Sequence, residues 1–358
     1  GIGCHRRWRN EGVTMERPDL SQMPPEVRAY IEALESQLAQ LTAAPTRPLP
    51  TATPVEPSEP PTTINVVTIS RDGMIKRTPR HLYGRQRRGG MGVFDLETAE
   101  PDAPSLLAVA DESETLLLFS NYGRACRLSL EKLNESPVRA RGQALADLLQ
   151  FQVHERIVAA LPANQDKYVA LVSERGWVRR VRDGYLGPNM LQGMSFHNVK
   201  EGGYLVGACW TPGDGDLFIA TQQGKAIRFM ESQVPTRGVL GLRTQVDDVV
   251  VAVTSVSSDS GVFLVGDDGK GTIRLMTGFN ANKAPVAGGK VAMKTDNLVG
   301  ALAMDERDDI LLLSRLGKII RFQAEEVPPK EGVVQGVNCM ALRADEVTAV
   351  TIAPMNES

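Results

Sequence analysis

Cysteine is scarce in this 358-residue chain, and the four present, Cys4, Cys126, Cys209 and Cys339, form no CxxC pair. That excludes a disulfide scaffold and a cysteine zinc site, and it fits a reducing cytoplasm. Aromatic residues make up only 5% of the sequence. The four histidines, His5, His81, His154 and His197, lie far apart with no helical spacing to a glutamate, so no metal site is expected. No apolar run reaches the length of a membrane span, and the N-terminus has no apolar signal core. Charge of one sign is lacking too, because the net charge is only −3. What is abundant is glycine, with 33 residues, and proline, with 22, in a chain that is 42% hydrophobic. This composition suits many short strands and turns around a sizeable core.

The net charge conceals an uneven distribution. Residues 1–63 hold 6 basic and 8 acidic side chains, and the rest is almost balanced. Between Arg71 and Gly92 stand Arg71, Lys76, Arg77, Arg80, Arg85, Arg87 and Arg88 against Asp72 alone, whereas residues 301–358 hold 6 basic and 10 acidic side chains. A local basic patch on a neutral body is therefore expected.

Residues 1–23, in which Met15 is a plausible initiator, read as a flexible extension. Over residues 24–42, Val27, Ile31, Leu34, Leu38 and Leu41 recur at spacings of 4, 3, 4 and 3, which places them on one stripe of a short amphipathic helix. Two readings of the stripe stand: a coiled coil that makes a homodimer, or a helix resting on its own domain or left exposed. Residues 43–63 carry seven prolines and read as an extended linker.

From residue 64 to the end the chain repeats itself. An apolar strand, a polar turn with glycine and an apolar-basic strand recur six times, as in VVTISRDGMIKR, LLLFSNYGRACRL and LLLSRLGKIIRF. The turn glycines are Gly73, Gly123, Gly176, Gly224, Gly269 and Gly317, at intervals of 50, 53, 48, 45 and 48 residues. Four residues beyond the glycine stands Arg77, Arg127, Arg180, Arg228 or Arg321; an extra residue in the fifth unit moves its arginine to Arg274. Each unit continues to a second glycine and another short strand, as in RGVLGLR (237–243), GGKVAMK (288–294) and QGVNCMALR (335–343). Six units of four strands without a long helix predict an all-β, propeller-like ring of four-stranded blades, whose closure leaves no sheet edge exposed.

Catalytic signals are weak. Gly266–Thr272 has the look of a phosphate loop, but Leu264 stands where that motif requires a glycine, and the segment lies on a repeat hairpin. Acidic pairs such as Asp247–Asp248 and Asp308–Asp309 read as solvated turn carboxylates. Neither an enzyme nor a cofactor is indicated.

The arginines are more informative. Six at one repeat position would trace a positive belt around a closed ring and could neutralise phosphates of duplex DNA in series, without reading bases. The alternative is pairing with neighbouring carboxylates inside the blades. In the first repeat, Gln86, Arg87, Arg88, Gly89, Gly90, Met91 and Gly92 form a glycine-rich arginine loop suited to an anionic surface. The expected rim is Lys76, Arg77, Arg80 and Arg85, together with Arg127, Arg180, Arg228, Arg274 and Arg321.

On these repeats and on QRRGGMG at 86–92, the chain resembles the C-terminal domain of the gyrase A protein of DNA gyrase, with its relative in topoisomerase IV. The resemblance spans about residues 64–354. It implies a six-bladed β-pinwheel that wraps DNA around its perimeter, led by a box loop of sequence Q-R-R-G-G-K-G. Met91 replaces the lysine of that box. No counterpart of the DNA-cleaving tyrosine domain or of an ATPase is recognisable, so this chain alone is expected neither to cleave nor to supercoil DNA. The expected partners are duplex DNA and gyrase or topoisomerase IV subunits, at the nucleoid and not at a membrane. A second class of reading also stands, a propeller for protein contacts that has lost DNA wrapping; the neutral charge and acidic last repeat favour it.

Overall fold

A computed structural model describes residues 7–10, 13–16, 20, 23–43, 59–98 and 101–354. The chain divides into two units at residues 55 and 56. In the first, Arg7–Asn10 pairs antiparallel with Val13–Glu16, Trp8 opposite Met15, where a flexible extension was expected. A helix spans Pro25–Ala43, beginning on the Pro24–Pro25 pair, where a missing N–H costs nothing. Of its apolar stripe, Val27 and Leu34 are exposed and Ile31 half-buried; the side chains of Leu38 and Leu41 lie outside the described ones. The linker from 44 to 58 likewise falls outside the described residues.

In the second unit each repeat begins with a hairpin. These are Ile64–Ser70 with Met74–Pro79, Thr115–Ser120 with Arg124–Ser129, Tyr168–Ser173 with Trp177–Arg182, Asp216–Thr221 with Lys225–Met230, Gly261–Gly266 with Lys270–Leu275, and Asp309–Ser314 with Lys318–Gln323. The turn glycine of each has positive φ, from 73° at Gly224 to 93° at Gly73, which other residues adopt only with strain. The last strand of each repeat lies innermost, on the free side of the first hairpin strand: Pro104–Asp111, Ile157–Pro162, Leu205–Thr211, Val250–Val256, Leu298–Met304 and Val347–Ala353. These six strands surround a central cavity of about 230 Å³ lined largely by valine, alanine, leucine and glycine.

The first strands of the hairpins explain the unbroken apolar runs. In the second blade Leu116 and Leu118 join the core shared with the first blade, while Leu117 and Phe119 join the core shared with the third. A strand buried on both faces has no polar side to alternate with. Six such clusters fill the six joints of the ring, and the joint between the sixth and first blades is the smallest, with 8 buried apolar residues against 11 to 15 elsewhere.

The ring of four-stranded blades is as expected, but the four strands of a blade do not all come from one repeat. The third strand of each repeat, only two residues long, crosses to the outer edge of the preceding blade. Gln143–Ala144 completes the first blade, Met194–Ser195 the second, Val239–Leu240 the third, Lys290–Val291 the fourth and Val337–Asn338 the fifth. Val93–Phe94 of the first repeat completes the sixth blade and so closes the ring. The fifth blade gains a further strand, Pro329–Lys330, parallel to Ile273–Arg274. The second glycine of each repeat is required by the crossing. A Cβ at Gly92 would lie 2.6 Å from the carbonyl oxygen of Ile319, and one at Gly336 2.5 Å from that of Gly271.

Candidate nucleic-acid interface

The box loop is built into the closing joint. The Gln86 side chain accepts the N–H of Gly92 at 3.2 Å, folding the loop on itself, while the Gln86 N–H donates to the Arg321 carbonyl at 2.8 Å. Gly89, at φ 78°, donates to the Cys339 carbonyl at 2.8 Å, and the Gly90 carbonyl accepts from Ala341 at 2.8 Å. The loop thus touches the sixth blade and the outer segment of the sixth repeat, which belongs to the fifth blade. Arg88 is held by this contact: its Nε donates to the Glu326 carbonyl at 2.8 Å and its Nη1 to that of Asn338 at 3.1 Å. Arg87 and Met91 are the exposed side chains of the loop, and Arg87 has no side-chain partner among the described residues.

The repeat arginines lie in the joints between blades. Arg77 donates to the Leu133 carbonyl at 3.1 Å, Arg127 to Leu186 at 2.5 Å, Arg180 to Val234 at 3.3 Å, Arg228 to Phe279 at 3.2 Å and Arg321 to Tyr83 at 3.2 Å. Each accepting residue closes the one-turn 3₁₀ helix of the next repeat, which would otherwise leave that carbonyl unpaired. A second anchor is a carboxylate: Asp216 for Arg228 at 2.7 Å, Glu231 for Arg180 at 3.1 Å, Asp309 for Arg321 at 2.6 Å. Arg274 departs from the series. Its hairpin holds no extra residue: the turn spans three residues as in the fourth blade, and Ile273 stands opposite Phe263 where Arg228 stands opposite Phe218. Arg274, one position later, donates to the Gly278 carbonyl of its own repeat at 3.2 Å, while its buried Nε and Nη1 find no partner. Burial lowers its pKa.

The other expected rim cations are committed as well. Lys76, 1% exposed, ion-pairs with Asp95, and its Nζ also donates to the carbonyls of Asp95 at 3.2 Å and Pro137 at 3.1 Å. Burial lowers the Lys76 pKa against the attraction of Asp95. Tyr83 also donates to Asp95, and burial, followed by that carboxylate's charge, raises its phenol well above the usual value. Arg80 and Arg321 share Glu59, Arg85 joins Arg321 on Asp309, and Arg80 donates to the Pro354 carbonyl at 2.9 Å. This polar network occupies the joint with the smallest apolar core. At the expected rim positions, then, the guanidinium and ammonium groups mostly face backbone and carboxylates inside the ring.

Besides exposed cations such as Arg71, Arg182 and Lys200, a series of them stands elsewhere, on the segments that carry the donated outer strands. They are Arg87 in the first repeat, Arg139 and Arg141 in the second, Arg237 and Arg243 in the fourth, Lys283, Lys290 and Lys294 in the fifth, and Lys330 and Arg343 in the sixth. Arg139 has a carboxylate neighbour, Glu97 at 3.5 Å, with both largely exposed. The third repeat has no lysine or arginine between Leu186 and Asn198, so this outer belt is interrupted at the second blade. The hairpin motif does not point to these cations. The signal that does is a basic residue beside the second glycine, as in Arg141–Gly142, Arg237–Gly238 and Gly289–Lys290. No group of three or more His, Cys, Asp or Glu side chains among the described residues could hold a metal, and no described helix is long and apolar enough to cross a membrane.

A closed ring of six blades, each completed by a strand of the next repeat, defines a β-pinwheel. Residues 65–102, 215–257 and 308–331 match the family described as the DNA gyrase C-terminal domain, beta-propeller. The chain is 31% identical over 304 residues to the gyrase A protein of Mycolicibacterium smegmatis DNA gyrase, covering 80% of this chain and 36% of that protein. It is 28% identical over 292 residues to the Escherichia coli gyrase A protein, covering 78% and 33%. In fold it is similar to a gyrase A C-terminal domain, with TM-score 0.70 and 21% identity over 81% of this chain and all of that one. It is also similar to the C-terminal domain of DNA topoisomerase IV, with TM-score 0.57 and 22% identity over 81% and 93%. The ring is thus recognised as a β-pinwheel of the DNA gyrase A C-terminal kind. The chain spans about a third of the length of these two gyrase A proteins.

Proposed function

We propose that the ring is a non-catalytic module that binds duplex DNA along its perimeter, largely without regard to sequence, and bends it. The observation that carries this reading is the series of exposed cations on the outer segments of the first, second, fourth, fifth and sixth repeats. They lie on or beside the donated strands, the outermost element of each blade, so a curved polyanion following the rim meets one or more of them at five of the six blade edges. Contacts of this kind release counterions and reward bending without reading bases. The interruption at the second blade marks where the path begins and ends. In the assembly suggested by its relatives, the ring serves a type IIA topoisomerase; separately, the apolar stripe of the helix Pro25–Ala43, on which Val27 and Leu34 are exposed, pairs two chains.

The test is binding to a linear duplex of about 150 base pairs across a salt series. Each lost phosphate contact lowers the slope of log K against log salt by about 0.9. Replacing Arg237 and Arg243 by alanine should therefore lower it by about 1.8 while the melting temperature stays put. Weak binding that is indifferent to salt and to these substitutions would end the reading.

A further inference from the structure

The third blade is finished differently from the other five. In every other blade, a group from the following segment covers the outer strand of the hairpin at the repeat arginine. The Ser136 N–H donates to the Arg77 carbonyl at 2.8 Å, Asn282 to that of Arg228 at 2.5 Å, and Gln86 to that of Arg321 at 2.8 Å. In the second blade the side chain of Gln192 takes this place, accepting from the Arg127 N–H at 2.8 Å and donating to its carbonyl at 2.9 Å. In the fifth, Pro329–Lys330 pairs alongside Arg274. Among the described residues, no backbone or amide group pairs with the corresponding edge at Arg180.

The cause is a short loop. From the residue that closes the 3₁₀ turn to the second glycine, the chain takes nine steps in the first repeat (Tyr83 to Gly92) and ten in the fifth (Phe279 to Gly289), but only four in the fourth (Val234 to Gly238). Pro235–Gly238 spends them on a tight turn, closed by Gly238 N–H to the Pro235 carbonyl at 2.8 Å. No chain remains to lie along Arg179–Arg182. A groove of about 660 Å³ opens there, walled by Tyr168, Arg179, Arg180, Arg182, Tyr185 and Phe196, with no carboxylate among its lining residues. Arg182 and Tyr185 are exposed, and the buried Nε of Arg180 has no hydrogen-bond partner.

We propose that this open edge is a docking site for a short extended acidic peptide segment of a partner protein, added as an extra strand to the third blade. Strand addition supplies both the N–H and the C=O that the edge lacks. The phosphates of a nucleic acid only accept hydrogen bonds and would leave the edge carbonyl unpaired. Arg180 is already paired with Glu231, and Arg179 donates to the Thr236 and Phe196 carbonyls. The exposed Arg182 therefore selects a carboxylate side chain, and the two tyrosines give the peptide an apolar floor.

The probe is a fluorescein-labelled hexapeptide alternating glutamate with valine or threonine, followed by fluorescence anisotropy on the full chain. Saturable binding is expected, weakened about tenfold or more by Arg182→Glu combined with Tyr185→Ala, two exposed positions whose replacement leaves the blade core intact. Methylating the peptide nitrogens that face the edge should abolish binding, whereas Lys294→Ala with Arg343→Ala on the perimeter should not change it. The proposal is overturned if the wild-type chain fails to bind the peptide with Kd below about 1 mM. It is equally overturned if N-methylation has no effect, if the perimeter variant loses as much as the groove variant, or if a single-stranded DNA of about 12 nucleotides occupies the groove in place of the peptide.

Discussion

Replacing Arg228 by methionine separates two roles that an arginine at this repeat position could have. Arg228 is 7% exposed; its Nε donates to Asp216 at 2.7 Å, and its Nη1 to the carbonyls of Met276 at 3.0 Å and Phe279 at 3.2 Å. Methionine keeps much of the alkyl packing but leaves a largely buried carboxylate and two carbonyls without donors. Breaking a buried ion pair from one side costs about 3–5 kcal/mol, and the lower end applies because Asp216 retains some contact with water. For a domain of this size a loss of about 3 kcal/mol lowers Tm by roughly 6–12 °C. Thermal unfolding followed by circular dichroism measures the shift, and the salt series on duplex DNA, run well below the new Tm, measures the slope. The structure predicts a lower Tm and an unchanged slope. A slope smaller by about 0.9 with an unchanged Tm would show that Arg228 meets phosphate, and would refute the joint-sealing role.

Four further outcomes are expected. Arg274→Met should alter stability by less than about 1 kcal/mol in urea unfolding, because the native guanidinium already lacks two partners and no carboxylate hydrogen-bonds to it; a loss matching that of Arg228→Met would contradict this. Gly92→Ala places a Cβ 2.6 Å from the Ile319 carbonyl at a φ of 71°, so Val93–Phe94 should leave the sixth blade. Burial pushes the Cys339 thiol up to about 12, so faster thiol labelling of this residue beside the box loop would report the opening, and unchanged labelling would count against the latch. For Glu59, burial opposes ionisation, but the hydrogen bonds and charges of Arg321 and Arg80 outweigh it and hold its pKa below the ordinary 4.5. A depressed carboxyl stabilises the folded ring above pH 4.5 and loses that contribution as pH falls through its folded value, so the stability deficit of Glu59→Gln should shrink below pH 4.5; a pH-independent deficit would rule out this linkage. Met91→Lys adds a cation at a position 48% exposed in the box loop, and should raise the salt slope by about 0.9.

The repeat, the glycine turns and the number of blades were legible in the sequence because each rests on local chemistry. A tight hairpin turn demands a residue tolerant of positive φ, and a strand buried on both faces demands an unbroken apolar run, as in Leu116–Phe119. The box loop was legible as a loop for the same reason. Its attachment to the Cys339 carbonyl, far away in the chain, was not.

The destination of the arginines lay beyond local pattern altogether. Arg77, Arg127, Arg180, Arg228 and Arg321 occupy one position in five of the six hairpins, and periodicity alone allows either an outward belt or a set of inward ties. The crossing of each third strand to the preceding blade decides between them. It places the 3₁₀ turn of the next repeat over the arginine, whose donors then pair with carbonyls that would otherwise be buried unsatisfied. The same crossing carries Arg141, Arg237, Arg243 and Lys294 to the perimeter. The sequence alone determined the period, the strands and the closure of the ring, because these follow from backbone and apolar preferences repeated six times. Which cations reach solvent and which seal the joints was decided only by the tertiary structure, because burial depends on what another repeat lays across them.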